Sequence, residues 1–291
     1  DKLYDLFTVI NSCLIQKLKG RLLMKKIKID ALSENISDRM ESDIKNNNIS
    51  GASVSVISPD DTLFKAHFGT LSAEDKTPPN DSTLFRMASM TKPVTAVAVM
   101  TLYDKGLLEI DDPVEKYLPQ FKNMYIAEMI DGKAEKVRKA QTTLTIKHLL
   151  THTSGLVSGS SGEFYSNKLS DETNKTLKDT VDYYSGTGLG FEPYTENQYN
   201  ATAAFDVLAR IAEVISGMNY ADFLKKYVTD PCGMRDTAFV PNNGQWERII
   251  PMHKKENGKS GVAEMKKGCV FENVPVTHYL GGAGLISSLG D

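Results

Sequence analysis

From Val94 to Tyr103 the chain reads Val-Thr-Ala-Val-Ala-Val-Met-Thr-Leu-Tyr, and only Thr95 and Thr101 are polar. A helix of that composition is apolar around nearly its whole circumference, so it is expected inside a core and not on a surface. Gly106 supplies a stop at the C′ position. Pro93 requires the helix to begin near Ser89, because only the first turn has no partner for the N–H that proline lacks. Ser89 then stands at the positive end of a buried helix, with Lys92 following it. Residues three apart on a helix are neighbours, with Cβ atoms about 5–6 Å apart. A hydroxyl and an amine are delivered side by side into a protected place.

Chemistry has a use for that pair. A serine hydroxyl is a poor nucleophile until a neighbouring group takes its proton. An amine can do so where burial and positive surroundings disfavour the ammonium form. The helix N-terminus favours negative charge on the serine oxygen and on an oxyanion developing beside it. The same residues also fit a plain N-cap serine and a first-turn lysine whose stem snorkels to water. Ser-x-x-Lys alone is too short and too common to choose between them, and the apolar helix behind it narrows the choice without closing it.

At 291 residues, 41% hydrophobic and 24% charged, the chain is an ordinary globular protein of one large domain or two small ones. A net charge of −3 gives no reason to expect nucleic acid as a partner. No apolar run approaches the roughly 18 residues that span a bilayer. Cys13, Cys232 and Cys269 are far apart and form neither a metal spacing nor a disulfide framework, which fits a reducing, cytoplasmic compartment. In residues 1–29 the basic cluster Lys17, Lys19, Arg21, Lys25, Lys26 and Lys28 follows the apolar stretch Leu6–Ile15, the reverse of a secretory signal. The segment is read as a loosely tied extension, with Met24 as a candidate start; an amphipathic membrane contact is the weaker alternative.

Beyond Asp30 the patterns sharpen. Leu32, Ile36, Met40 and Ile44 recur every fourth residue and predict a helix over 30–47, ended by Asn46-Asn47-Asn48 and Gly51. Ser53–Ser58 and Thr62–Phe68, joined by Pro59-Asp60-Asp61, predict a β-hairpin. A polar loop, Ser72–Ser82, precedes the Ser89 helix, and Leu107–Leu118 forms a connector around the Asp111-Asp112-Pro113 turn. Thr145 is expected to cap a short helix carrying His148 and His152 and stopping at Gly155. Two histidines four apart can hold zinc, but no glutamate follows His148 and no third ligand is near, so packed, hydrogen-bonded structural histidines are expected and no metal.

Residues 156–190, rich in Ser, Gly, Asn and Asp, are read as a long surface loop or lid with weak helical character at Thr176–Tyr184. Gly186–Gly190 lacks the preceding strand and spacing of a dinucleotide loop and is read as plain flexible loop. No phosphate-cradling Walker sequence and no Gly-x-Ser-x-Gly elbow occurs, so no cofactor is expected, and the missing elbow argues against an α/β-hydrolase nucleophile. A helix from Ala203 to Ser216 buries Phe205, Leu208, Ile211, Ala212 and Ile215 and ends at Gly217, and Asn219 caps the next helix, which stops before Pro231. Short strands are expected at Thr237–Val240, Val262–Met265 and Cys269–Val274, with a Lys/Gly-rich turn at 254–261. The segment Leu280–Ser288 is read as a tight glycine approach entering a helix.

Three phrases taken together carry a resemblance. Phe85–Pro93, Leu107–Lys122 and Ile146–Leu156 occur in the order and at the spacings of the serine β-lactamase and penicillin-binding-protein-like superfamily. The branch resembled most is that of class C β-lactamases and the carboxylesterases sharing their fold. Pro231-Cys232-Gly233-Met234-Arg235-Asp236-Thr237 is similar to that group's Pro-Leu-Gly-Met-x-x-Thr phrase, and the likeness covers roughly residues 30–291. The resemblance implies Ser89 as nucleophile, Lys92 as its partner, and Tyr199, just after Phe191-Glu192-Pro193-Tyr194-Thr195, as the proton-relaying tyrosine. A phenol near a cationic lysine suits that role, since its pKa is lowered. Whether lysine or tyrosine takes the first proton stays open.

Three departures bear on function. Asn200 stands at the usual serine position, and Ala201 stands where β-lactamases keep an amide for the substrate's side-chain carbonyl, which favours ester over β-lactam hydrolysis. Cys232 replaces a leucine, a tolerated core change. The third motif, Lys-Thr-Gly or His-x-Gly, does not occur before Asp291; its strand supplies one oxyanion donor, so the chain is expected to be part of a longer protein.

The expected fold is α/β (α+β). An antiparallel sheet with flanking helices, residues 30–84 and about 238–291, joins a mostly helical part, about 85–237, with the site between them. The expected function is ester or amide hydrolysis on a small-molecule substrate through an acyl-enzyme on Ser89, as in a β-lactamase-related carboxylesterase. The alternatives are a β-lactamase or D-amino-acid peptidase, and a non-catalytic acyl-binding sensor. Oligomeric state is not legible.

Overall fold

The structure, a computed structural model, describes residues 29–169, 176–256, 258–263 and 278–291. In chain order it forms α1 (Ile29–Lys45), β1 (Gly51–Ile57), β2 (Thr62–Gly69), β3 (Leu84–Arg86) and α2 (Thr91–Asp104). Then come β4 (Tyr125–Ile130), β5 (Lys133–Lys139), α3 (Ile146–Leu150), α4 (Gly159–Ser166), α5 (Leu177–Gly186), α6 (Ala203–Ser216) and α7 (Tyr220–Leu224). The last are α8 (Asn243–Trp246), β6 (His253–Glu256), β7 (Lys259–Val262) and β8 (Ile286–Ser288). The described residues form two compact units, one within 29–80 and 253–262, the other within 81–252 and 263–291.

In the first unit, β1 and β2 pair antiparallel, Ser53 opposite His67 and Val56 opposite Phe64. α1 lies on this hairpin. Its half-buried face carries Leu32, Ile36, Met40 and Ile44, the residues that the four-residue spacing selects. β6 and β7 form a second hairpin across the Lys/Gly-rich turn.

The second unit has a helical core centred on α6. Ala203 through Ala209 are buried, as are Ile211 and Ala212, and Gly217 ends the helix in the left-handed conformation, φ 70°. α2, α3, α5 and α7 all pack against α6. Below them Asp112 organises the connector: it accepts hydrogen bonds from the Glu109 N–H (2.8 Å), Lys116 Nζ (2.8 Å) and the Tyr117 hydroxyl (2.6 Å). Desolvation pushes this carboxyl up, but the bonds from Lys116, Tyr117 and Glu109 outweigh it and leave it at about 2. The folded value lies below the unfolded one, so the stabilisation is present above about pH 4 and is lost as pH falls towards 2. Asp112→Asn is therefore expected to lower the unfolding free energy at pH 7 by about 1–2 kcal/mol and to leave it unchanged at about pH 2, measured by denaturant titration at both.

Several expectations need correction. The α-helix starts at Thr91, not Ser89, because Ala88–Met90 form a separate 3₁₀ turn; Pro93, third in the helix, still falls within the first turn, where its missing N–H is not needed. Nor is α2 buried all round. Its inner face is Thr91, Lys92, Thr95, Ala98, Val99 and Leu102, while Val97 is 50% and Tyr103 38% exposed. The polar residues point inwards because the core supplies them with acceptors. Residues 156–190 are no simple loop or lid: α4 and α5 lie within them, and Leu156, Val181 and Leu189 are fully buried. Leu189 bridges both Ile126 and Leu156, and Thr187, Gly188 and Leu189 are buried, so the middle of Gly186–Gly190 is core backbone, not flexible loop. A Cβ on Gly188 would stand 2.3 Å from that of Ala127, which explains the small residue.

The glycine segment enters strand β8, not a helix, because Ile286–Ser288 pair antiparallel with β3. The antiparallel sheet is present as four two-stranded sheets among the described residues. Thr237–Val240 contributes only the isolated bridge of Ala238 to Ile286, and β7 ends at Val262. The expected Cys269–Val274 strand and the extension 1–28 lie outside the described residues. Among the described residues no helix is long and apolar enough to cross a membrane.

Candidate active site

Ser89, Lys92 and Tyr199, 110 positions apart at the extremes, meet in the second unit. Ser89 lies in the 3₁₀ turn directly after Ala88, whose φ of 44° is left-handed. For a residue with a Cβ that conformation costs about 1–2 kcal/mol, and such strain gathers at functional positions. Lys92, on the inner face of α2, is 6% exposed. Its Nζ donates to Ser89 Oγ (3.2 Å) and to the carbonyl oxygens of Ala201 (2.5 Å) and Gly282 (2.9 Å). The Tyr199 hydroxyl is 2.5 Å from Ser89 Oγ, and the Lys92 ammonium lies 5.0 Å from the Tyr199 ring centroid.

Tyr199 is delivered by the backbone on either side of it. The Gln198 N–H donates to the His152 carbonyl (3.0 Å) and the Asn200 N–H to His152 Nδ1 (3.2 Å). The Asn200 amide turns inwards and donates to the carbonyls of Leu156 (3.1 Å) and Val157 (2.9 Å), while its oxygen accepts the Thr202 N–H (3.1 Å). The His152 ring packs on Tyr199 (centroids 4.9 Å) and on Phe205 (5.4 Å). Burial, with the Lys92 charge adding to it, pushes this imidazole down, so it is a neutral ring accepting at Nδ1. His148 forms a capping box with Thr145. Both histidines are thus hydrogen-bonded parts of the scaffold, and no group of three or more metal-ligating side chains occurs among the described residues.

The phenol itself is tuned. Desolvation pushes Tyr199 up, but its hydrogen bond with Ser89 and the nearby Lys92 charge together leave it below the ordinary tyrosine value. A hydroxyl between a phenol and an amine has two routes for losing its proton.

Some contributors were not singled out in the sequence. The β4–β5 hairpin is one, and Asp131-Gly132 between Tyr125–Ile130 and Lys133–Lys139 is its sequence signal, both residues having positive φ. Its strand supports the start of the tyrosine segment: Arg138 Nη1 donates to Glu192 (2.6 Å), which also accepts the Gln141 and Thr142 N–H groups (2.5 and 2.6 Å). His152 as a holder of Tyr199, and the Gly282 carbonyl as a holder of Lys92, had no local signal, because both act across long sequence separations.

The structural neighbours of this mixed helix-and-strand body have the β-lactamase and transpeptidase-type fold. The chain belongs to the Beta-lactamase family, whose sequence profile matches residues 32–291. Over 264 residues it is 30% identical to the esterase EstB of Burkholderia gladioli, covering 83% of this chain and 63% of the esterase. It is 35% identical over 191 residues to penicillin-binding protein 4* of Bacillus subtilis (strain 168), covering 65% of this chain and 38% of that protein. The chain thus spans less than two thirds of the length of either relative. Among solved structures, EstCE1, described as a hydrolase with promiscuous acyltransferase activity, superposes with a TM-score of 0.73 at 23% identity, covering 91% of this chain and 71% of that one. Unliganded simvastatin synthase (LovD) from Aspergillus terreus, as its selenomethionyl derivative, gives 0.74 at 22% identity, covering 90% and 66%. At those identities the two structures speak for the fold alone.

Proposed function

We propose that this protein is a serine hydrolase that cleaves carboxylic esters of small molecules through an acyl-enzyme on Ser89, with Lys92 and Tyr199 handling the proton. The activity is assigned to a domain of residues 30–291, with 1–29 an extension of it. The observation that carries this reading is the set of Lys92 contacts. Two of the three partners of Nζ are carbonyl oxygens, which only accept, so two N–H bonds point at Ala201 and Gly282 in either protonation state. The third direction faces Ser89 Oγ. There a neutral amine's lone pair accepts the hydroxyl proton, and the ammonium that results still satisfies all three partners. Proton transfer needs no rearrangement of the lysine, which is the kind of preorganisation that lowers barriers.

As the proton leaves, Ser89 Oγ bonds to the ester carbonyl carbon and the carbonyl oxygen becomes an oxyanion beside the Ser89 N–H. The C–O bond to the alcohol then breaks, and the leaving alkoxide takes a proton relayed from Lys92 through the Tyr199 hydroxyl. Water attacks the acyl-enzyme by the same steps reversed, releasing the carboxylic acid and restoring Ser89. Two facts favour esters over β-lactams. Ala201 carries no amide, and the Asn200 amide is committed to the Leu156 and Val157 carbonyls, so neither offers a donor to a substrate side chain. The relative named an esterase is matched over most of this chain. A cytoplasmic, reducing setting fits three cysteines without disulfide spacing.

The test compares p-nitrophenyl acetate and butyrate with a chromogenic cephalosporin. Ester kcat/KM is expected to exceed cephalosporin kcat/KM by about 100-fold or more. The reverse ratio would make the protein a β-lactamase, and a permanent cephalosporin adduct without turnover of either would make it a sensor. Tyr199→Phe is expected to reduce kcat by about 10²–10³-fold. It should also remove a limb of the kcat–pH profile lying below the ordinary tyrosine range, since the folded phenol ionises below its usual value.

A further inference from the structure

Asp206 lies in the core close to this cluster and takes no part in the scheme above. It stands in the first turn of α6 and is fully buried. Its Oδ1 accepts the Gly282 N–H at 3.2 Å, and its Oδ2 has no hydrogen-bond partner among the described residues. The peptide joining Gly281 to Gly282 is gripped at both ends. Its N–H goes to Asp206, and its carbonyl accepts from Thr95 Oγ1 at 2.7 Å, which in turn accepts from the Tyr220 hydroxyl at 2.7 Å. The next carbonyl, that of Gly282, holds Lys92. The two glycines lie hard against α6 and its approach: a Cβ on Gly281 would stand 2.2 Å from the Phe205 carbonyl oxygen, and one on Gly282 2.7 Å from Thr202 Cα.

We propose that Asp206 is a positioning residue for acyl transfer: by anchoring the Gly281–Gly282 peptide it fixes the carbonyl that holds Lys92 against Ser89. This rests on the serine-hydrolase reading. A carboxyl buried with one oxygen unpartnered is a poor choice for stability, because a charge removed from water without full hydrogen bonding is costly. Desolvation pushes Asp206 up to about 7, against the pull of the Gly282 and Gly281 N–H groups and of Lys92. The groups facing this region are Lys92 from α2, His152 after α3, Tyr184 from α5 and Tyr220 from α7. Burial pushes both phenols up and the imidazole down, so all three stay neutral near pH 7. The folded value of Asp206 lies above the unfolded one. The native state therefore loses stability as pH rises from about 4 to about 7, and a variant without the carboxyl escapes that loss.

The experiment measures kcat, KM and melting temperature for the purified wild type, Asp206→Ala, Asp206→Asn and Thr95→Val. In Asp206→Ala, kcat is expected to fall on the order of 10- to 100-fold with KM within about threefold, while the melting temperature at about pH 8 is equal or higher. Asp206→Asn, which keeps an oxygen for the Gly282 N–H, is expected to recover most of the loss. Thr95→Val, which frees the other end of the same peptide, is expected to lower kcat in the same way and carries the test should Asp206→Ala fail to fold. An unchanged kcat in Asp206→Ala or in Thr95→Val, or a loss in Asp206→Ala that asparagine does not recover, overturns the inference. Ester turnover by the wild type with an indifferent Asp206→Ala overturns only this inference, whereas a wild type without ester turnover overturns the hydrolase reading and this one with it.

Discussion

Ser89→Ala is expected to lower ester kcat/KM on the order of 10⁴-fold or more, which corresponds to about 5 kcal/mol of transition-state stabilisation. The folded protein should not notice the change. Ser89 is exposed, and among the described residues its hydroxyl is bonded only to the two groups proposed to share its proton, so the melting temperature is expected to stay within about 2 °C. That combination, lost turnover with unchanged stability, separates a nucleophile from a structural serine. Initial rates on p-nitrophenyl butyrate together with a thermal melt read both.

Lys92→Met is expected to lower kcat about 10³- to 10⁴-fold and, unlike the serine variant, to destabilise the fold. The amine is the donor for two backbone carbonyls, those of Ala201 and Gly282, that lie far apart in the sequence. Methionine fills the same space without donating to either, and an orphaned buried acceptor costs about 1–3 kcal/mol. A loss of about 2–4 kcal/mol in unfolding free energy is therefore expected from chemical denaturation. Lys92→Arg should not restore the rate, because a guanidinium stays protonated and cannot accept the serine proton. A Lys92→Met protein with near-normal turnover would remove the amine from the mechanism.

The sequence announced the parts of the site that depend on local order. The Ser89–Lys92 spacing, the long α6 with its Gly217 stop and the Thr145 cap all follow from periodicity and capping, which are decided within one or two turns. Tyr199 entered through a family phrase, and its bond to Ser89 spans 110 positions. Around residues 156–190 and along α2, polarity is a poor sign of exposure. Residues 156–190 look like a surface loop because they are rich in Ser, Gly and Asn, yet Ser158, Ser161, Thr180 and Thr187 are buried. Hydroxyls there are spent on nearby backbone, as in the bonds of Ser158 to the Leu156 carbonyl and Thr187 to the Tyr184 carbonyl. The converse holds on α2, where apolar Val97 faces water and polar Lys92 and Thr95 face the core. Gly281 and Gly282 were legible as a tight approach, but what they approach, Asp206 and the start of α6, is a matter of tertiary placement.

The most direct measurement is an acid-quenched reaction with a slowly deacylating p-nitrophenyl ester, followed by intact mass and peptide mapping. The account predicts a transient mass increase equal to the acyl group, located on Ser89, that decays at the rate of steady-state turnover and is absent from Ser89→Ala. Ester turnover with no acyl group on Ser89 at any time, or with the acyl group on another residue, would contradict it.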